Sequence, residues 1–293
     1  RGRLECGFVR GVPYEVAPAN AFPYRGSEKL WEAHDLIMKA WTHHDGPFNF
    51  EGRWFHARQV NIWPRPFQQP HPPVWITMGS ANSADQVAQR GHTGAVFLAG
   101  YPNIRNIYDS YRQSYLENHG QDAPLDRLAY CAMIYVGENE KAAQEGANRL
   151  LWYMTSNKVA TQFNNPPGYH PPSVAANIMR GTTSSSGLPL VPKLDEQMAL
   201  GNVCAGTPDQ VFQQIKSFWE YSGGFGNLLM MGQAGFMTFD ETINSMKLFS
   251  EEVYPRLKEL TASYDPGAMR ELRTSTPDVQ TVDIGSLATQ FVR

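Results

Sequence analysis

Cysteine is scarce: there are three in 293 residues, Cys6, Cys131 and Cys204, and no two form a C-x-x-C pair. That excludes a disulfide framework and a structural zinc site, and it fits a reducing, cytoplasmic setting. Each thiol reads as a small buried core residue. Net charge is also small, −3 from 25 basic and 28 acidic side chains. Nothing electrostatic therefore points to nucleic acid or to an anionic membrane surface. No apolar run approaches the roughly 20 residues needed to cross a bilayer, and Arg1-Gly2-Arg3-Leu4-Glu5 does not read as a signal peptide. G-x-G-x-x-G and the P-loop are absent, so Rossmann and Walker readings lack support.

What is present is an alternation of short apolar strands with amphipathic helices. Strands are predicted at Leu4–Val9, Val74–Met78, Ala95–Leu98, Leu128–Val136 and Asn227–Met231. Helical spacing links Leu30, Ala33, Ile37, Ala40 and Trp41, with Ser27 as the expected N-cap. Phe48–His56 reads as a hairpin turning at Glu51-Gly52. A short helix is expected from near Ser83 to Arg90, and another from Asn103 through Tyr115. A third carries Ala143 through Met154. Thr207-Pro208-Asp209-Gln210 and Thr238 with Glu241 are capping boxes that open two further helices. This order predicts a parallel α/β fold. About five βα units are visible, against the eight of a closed barrel of ~250 residues. Residues 1–261 are expected to form one domain with a long irregular insertion at 160–192, a candidate functional loop. Residues 262–293 are expected to be a weakly structured tail.

In parallel α/β folds ligands bind at the carboxyl ends of strands, and two such ends carry anion chemistry. Arg10 follows the first strand beside Gly11, and a guanidinium can make two parallel hydrogen bonds to a phosphate. Gly79-Ser80-Ala81-Asn82-Ser83 precedes a helix, where hydroxyls, unused N–H groups and the helix dipole favour an anion. The bland alternatives are a surface salt-bridge arginine and a simple N-cap; spacing leaves both open. Leu98, Met230 and Met231, at or near strand ends, are pocket-lining candidates, with core packing as the alternative. No catalytic residue is assigned. His71 lies between prolines and reads as structural, His43 and His44 sit in a breaker, and Glu251 and Glu252 are adjacent on a helix and diverge.

Gly7-Phe8-Val9-Arg10-Gly11, Phe50–Phe55, Pro64–Ile76 and the Gly79-Ser80 turn together resemble the luciferase-like flavin-dependent monooxygenases. So do Gly206–Val211 and Phe249–Leu257, in the same order. The resemblance implies a TIM (β/α)8-type barrel, here incomplete, with the equivalents of strands 4–8. It implies an FMN-dependent monooxygenase that uses reduced flavin and O2 on a small organic substrate. The flavin would come from a separate reductase, and the chain would pair as a homodimer. By the same resemblance, Arg10 and Ser80 contact the FMN phosphate, Ser83 lies nearby, Gly79 belongs to the same turn, and Val9, Gly11 and Val12 line the flavin. The family's first three strands are not found upstream of Arg10. A truncated, non-catalytic flavin-binding fragment is therefore one alternative. An F420-dependent oxidoreductase on the same barrel is another, although the Arg10-Gly11-Val12-Pro13 turn looks more like the FMN branch.

Overall fold

The computed structural model describes residues 2–16, 19, 25–155, 176, 180 and 192–275. The chain forms two compact units, Arg1–Thr77 with Val159–Gly187, and Met78–Lys158 with Leu188–Arg293. Most of the predicted 160–192 insertion lies outside the described residues.

In the first unit, β1 (Cys6–Phe8) pairs in parallel with β4 (Val74–Thr77), Phe8 opposite Ile76. Between them in sequence come α1 (Pro13–Val16), α2 (Gly26–Thr42) and an antiparallel hairpin of β2 (Phe48–Glu51) and β3 (His56–Val60). Alternation and a helical apolar face meet at Phe8, whose ring lies 6.1 Å from Trp41 and 6.4 Å from His34 of α2. His71 stacks on Trp41 and bonds the Pro72 carbonyl, a structural role. Ser27 is not the cap of α2. Arg25 precedes the helix in the left-handed region (φ 55°) with no side-chain cap, and Glu28 in the first turn pairs with Arg25.

The hairpin turn also differs from expectation, spanning Gly52–Phe55 rather than Glu51-Gly52. The reason lies outside the hairpin: the Glu32 carboxylate of α2 accepts the N–H groups of Arg53, Trp54 and Phe55 at 2.9, 2.7 and 2.7 Å. Burial alone would raise the Glu32 pKa, but these bonds hold the carboxyl below its ordinary value.

The second unit is built around β6 (Leu128–Val136), the longest described strand and buried at every residue but Cys131. It pairs in parallel with β5 (Thr93–Phe97), β7 (Val203–Gly206) and β8 (Asn227–Met231). Helices α3 (Ala81–Gln89), α4 (Gly100–His119) and α5 (Glu140–Leu150), the short α6 (Trp152–Thr155) and the helices Leu194–Ala199 and Pro208–Ser222 pack around these strands. Tyr130 of β6 faces the helices: its ring stacks on Phe218 at 4.3 Å, and its hydroxyl accepts from Gly100 N and donates to Gly201 O. A fully buried phenol is thereby satisfied. On the opposite phase, α5 meets Tyr135, and a Cβ at Gly146 would come within 2.1 Å of that ring.

Apart from the hairpin, every described strand pair is parallel, and ring closure is not detected among the described strands. The helix Phe239–Leu248 passes through a π turn, Phe249–Val253, into Tyr254–Ala262. Pro255 lacks an N–H and crowds the preceding turn, and the wider π turn accommodates it. Weak structure beyond Thr261 was expected, yet Pro266–Ser275 is helical. Asp265 explains this: its carboxylate accepts from Gly267 and Ala268 N–H, with proline at the first helical position. Residues 276–293 lie outside the described residues.

Candidate functional site

The serine turn after β4 is assembled by its own hydroxyls. Ser80 is extended (φ −161°) and caps α3, so the helix begins at Ala81 rather than near Ser83. Ser80 Oγ accepts the Ser83 N–H at 3.3 Å. Ser83 Oγ in turn accepts the N–H groups of Gly79 and Ser80, each at 3.0 Å, and donates to the Ser80 carbonyl. This is a capping box with serine in the place usually held by Glu or Gln. The substitution has an electrostatic consequence. The first turn of α3 holds no acid, whereas α5 and the helix Pro208–Ser222 each carry one and the helix Phe239–Leu248 carries two. The positive end of α3 is therefore not neutralised from within, and Gly79 and Ser80 are exposed.

At the end of β1, Val9 is 65% exposed and Arg10 is exposed. Gly11 adopts φ +74°, where a Cβ would also strike Val16 at 2.7 Å. The Val12 carbonyl then accepts from Glu15 and Val16, opening α1. Glycine at position 26 leaves room for the arginine stem: a Cβ there would sit 3.1 Å from Arg10 Cγ and 3.2 Å from Cδ. Of the residues singled out in the sequence, Gly79, Ser80 and Ser83 are joined by hydrogen bonds in one unit. Val9 to Val12 are contiguous at the strand end of the other.

The pocket-lining candidates divide. Leu98 is 6% exposed and belongs to a core cluster with Met133, Tyr135, Leu150 and Met237, against which Met231 packs. Met230 pairs with Ala132, on the strand phase of Tyr130 that faces the helices. Their chain neighbours Phe97 and Leu229 are 42% and 39% exposed instead. Hydrophobicity along a buried strand carried no signal for this choice. The thiols differ as well: burial pushes Cys131 up to about 11 and Cys204 up to about 12, so both stay protonated near neutrality.

A family model described as luciferase-like monooxygenase matches residues 1–224. The chain belongs to the luciferase-like monooxygenase family. Among its relatives is the oxygenase component of the flavin-dependent trigonelline monooxygenase of Acinetobacter baylyi. It is 24% identical over 154 residues, which is 51% of this chain and 41% of the relative. The 2,5-diketocamphane 1,2-monooxygenase 2 of Pseudomonas putida is 21% identical over 283 residues, covering 88% of this chain and 72% of that protein. The chain thus spans about two fifths of the length of the first curated relatives it matches.

Solved structures share the fold of this luciferase-like chain. A monooxygenase from Streptomyces bottropensis matches with TM-score 0.67 and 21% identity, over 87% of this chain and 69% of that one. The oxygenating constituent of 3,6-diketocamphane monooxygenase from Pseudomonas putida, solved with FMN, matches with TM-score 0.58 and 20% identity, over 79% and 63%. An F420-dependent secondary alcohol dehydrogenase matches with TM-score 0.61 and 17% identity, over 86% and 69%. The fold is that of the family's α/β barrels, as the family resemblance implied; the parallel strand order alone left an open sheet equally possible.

Proposed function

We propose that this luciferase-like chain binds FMN by its phosphate and acts as an FMN-dependent monooxygenase on a small organic substrate. The observation that supports it best is the α3 N-terminus: a serine turn, exposed at Gly79 and Ser80, in which the Gly79 and Ser80 N–H groups gather on Ser83 Oγ, with no acid in the first turn. These groups fit a phosphate, which takes N–H and O–H donors and is favoured by the helix dipole. Ser80 and Ser83 would hold it with the Gly79 backbone, and Arg10 would add a charged fork. The backbone at Val9, Gly11 and Val12 would line the flavin.

Reduced FMN, when bound, supplies reaction with O2 and the delivery of one oxygen atom. The protein's part would be to orient the substrate and to keep water away. A relative named as an oxygenase component supports a separate flavin reductase as partner. A second copy of this chain belongs to the same reading.

The test is titration of the purified chain with FMN and with reduced FMN under argon, followed by fluorescence and calorimetry. Saturable binding with one flavin per chain is expected; absence of binding in both redox states would end the reading. A second reading is favoured by the F420-dependent neighbour: hydride transfer with F420 on the same fold. Absorbance of the cofactor released from purified protein separates FMN from the deazaflavin.

A further inference from the structure

The strand β7 ends the described strand order of its sheet, and a cavity of about 690 Å³ in the second unit follows it. The cavity walls come from β7, α5 and the helices Leu194–Ala199 and Pro208–Ser222. Small-molecule sites occupy about 300–1,000 Å³, so the space suits a small organic ligand. Gly79, Ser80 and Ser83 of the serine turn are not among its lining residues.

The carbonyls of Asn202 and Gly206 accept from the N–H groups of Met133 and Gly137, each at 3.0 Å. Alternate residues of a paired strand turn their N–H and C=O to opposite edges. Val203 and Ala205 therefore turn away from β6, on the side of the cavity they line. Ala205 is matched there by one buried side chain. Gln214 Oε1 accepts its N–H at 3.0 Å, and Gln214 Nε2 donates to its carbonyl at 2.9 Å. A carboxamide thus takes the place of a neighbouring strand. Val203 presents the same donor–acceptor pair one step earlier on that edge. It is 1% exposed, and no described residue bonds its N–H or carbonyl on that side. Buried main-chain groups are nearly always paired, so this pair marks the cavity as a place for a ligand.

A molecule that completes the pair must carry an acceptor and a donor on one edge, as Gln214 does. A carboxylate has no proton for the Val203 carbonyl, and an ammonium has no acceptor for the N–H. Exposed Glu140 and Asp195 among the lining residues also disfavour an anion, since Lys193 is already paired with Glu196 at 3.0 Å. Leu194 and Met198 supply apolar wall for the rest of the molecule. An extended peptide does not fit, because Gln214 takes the next pair along the edge. We propose that this cavity is a binding site, apart from the serine turn, for a neutral carboxamide with an apolar body. Its amide bridges Val203 as Gln214 bridges Ala205. The proposal does not rest on the FMN reading.

The probe is cyclohexanecarboxamide, titrated into the full chain and followed by calorimetry and by nitrogen–proton correlation NMR. Saturable binding at millimolar concentrations is expected, with the Val203 amide signal moving in step. Cyclohexyl methyl ketone has the same shape but lacks the donor. It and cyclohexanecarboxylate should each bind about 3- to 10-fold more weakly, having lost at least one neutral hydrogen bond. Val203→Pro removes the outward N–H and keeps the ladder to β6, a change that the first residue of an edge strand accepts. Met198→Trp fills the cavity. Each variant should weaken carboxamide binding about threefold or more. If neither variant folds, the three ligands and the Val203 signal in the unaltered chain decide. No saturable binding, equal affinity for carboxamide and ketone, an unmoved Val203 signal, or unchanged affinity in a folded variant would overturn the proposal. Repeating the titration with FMN present keeps the flavin question separate. An unchanged Kd is expected, and displacement of the carboxamide by FMN would also overturn the site.

Discussion

Arg10 and Ser80 are each proposed to contact the FMN phosphate, and their replacement should weaken flavin binding unequally. Arg10→Ala removes an exposed charge whose stem rests on Gly26. A hydrogen bond to a charged group is worth about 1.5–3 kcal/mol, so FMN affinity should fall roughly 10- to 150-fold. Ser80→Ala removes the acceptor for the Ser83 N–H, a bond of 3.3 Å, while Ser83 Oγ still holds Gly79 and Ser80 N–H. Loss of an N-cap costs about 1 kcal/mol of stability. A neutral hydroxyl contributes only about 0.5–1.5 kcal/mol to binding, and the helix N–H groups remain, so FMN affinity should fall about 2- to 10-fold. Urea unfolding without ligand and FMN titration at fixed ionic strength measure these changes. The assignment fails if Arg10→Ala leaves the Kd unchanged, or if Ser80→Ala weakens binding more than Arg10→Ala does.

Three further outcomes follow from the packing. Arg112 donates to the carbonyls of Ser222, Gly223 and Gly224 at 2.9, 2.8 and 2.6 Å and is largely buried. Arg112→Met should destabilise by about 3 kcal/mol, since buried acceptors lose a charged donor; a change below about 1 kcal/mol in urea unfolding would show that water replaces it. Gly146→Ala gains about 1 kcal/mol of helix propensity but drives a methyl to 2.1 Å from the Tyr135 ring. Overpacking costs about 1–3 kcal/mol, so net destabilisation is expected, and an equal or higher Tm would refute the contact. The carboxyls of Glu32 and Glu241 are held below their ordinary 4.5, Glu32 by the Phe55, Trp54 and Arg53 N–H groups against burial and Glu241 by Thr238 and Arg149. Their folded pKa lies below the unfolded one, so the stability they contribute is present above about pH 4.5 and is lost as pH falls through the folded values. Glu32→Gln should flatten that acid slope; an unchanged slope in urea midpoints between pH 3 and 6 would refute the assignment.

Local signals in the sequence were read well where the deciding interactions are themselves local. Thr207 with Gln210 and Thr238 with Glu241 form the expected capping boxes, because both partners lie within one turn of chain. Leu128–Val136 and Asn227–Met231 are strands with the expected bounds. The serine turn was placed at the right strand end, though α3 starts earlier than expected, since Ser80 rather than Ser83 is the cap. Elements set by distant groups were read less well. The hairpin turn is moved by Glu32 of α2, and β7 (Val203–Gly206) is a strand only because Met133–Val136 pairs with it.

The facing of side chains along β5, β6 and β8 marks the boundary between the two kinds of information. Composition, motif order and capping chemistry determined the fold class, the family and the place of the serine turn that opens α3, all properties of contiguous residues. Which of Phe97 or Leu98, and Leu229 or Met230, faces outward was not determined in this way, because in a strand apolar on both faces a one-residue shift leaves the hydrophobic pattern unchanged. Only the pairing of β5, β6 and β8, with Tyr130 anchored among the helices, fixed that phase and put Phe97, Cys131 and Leu229 in one open row.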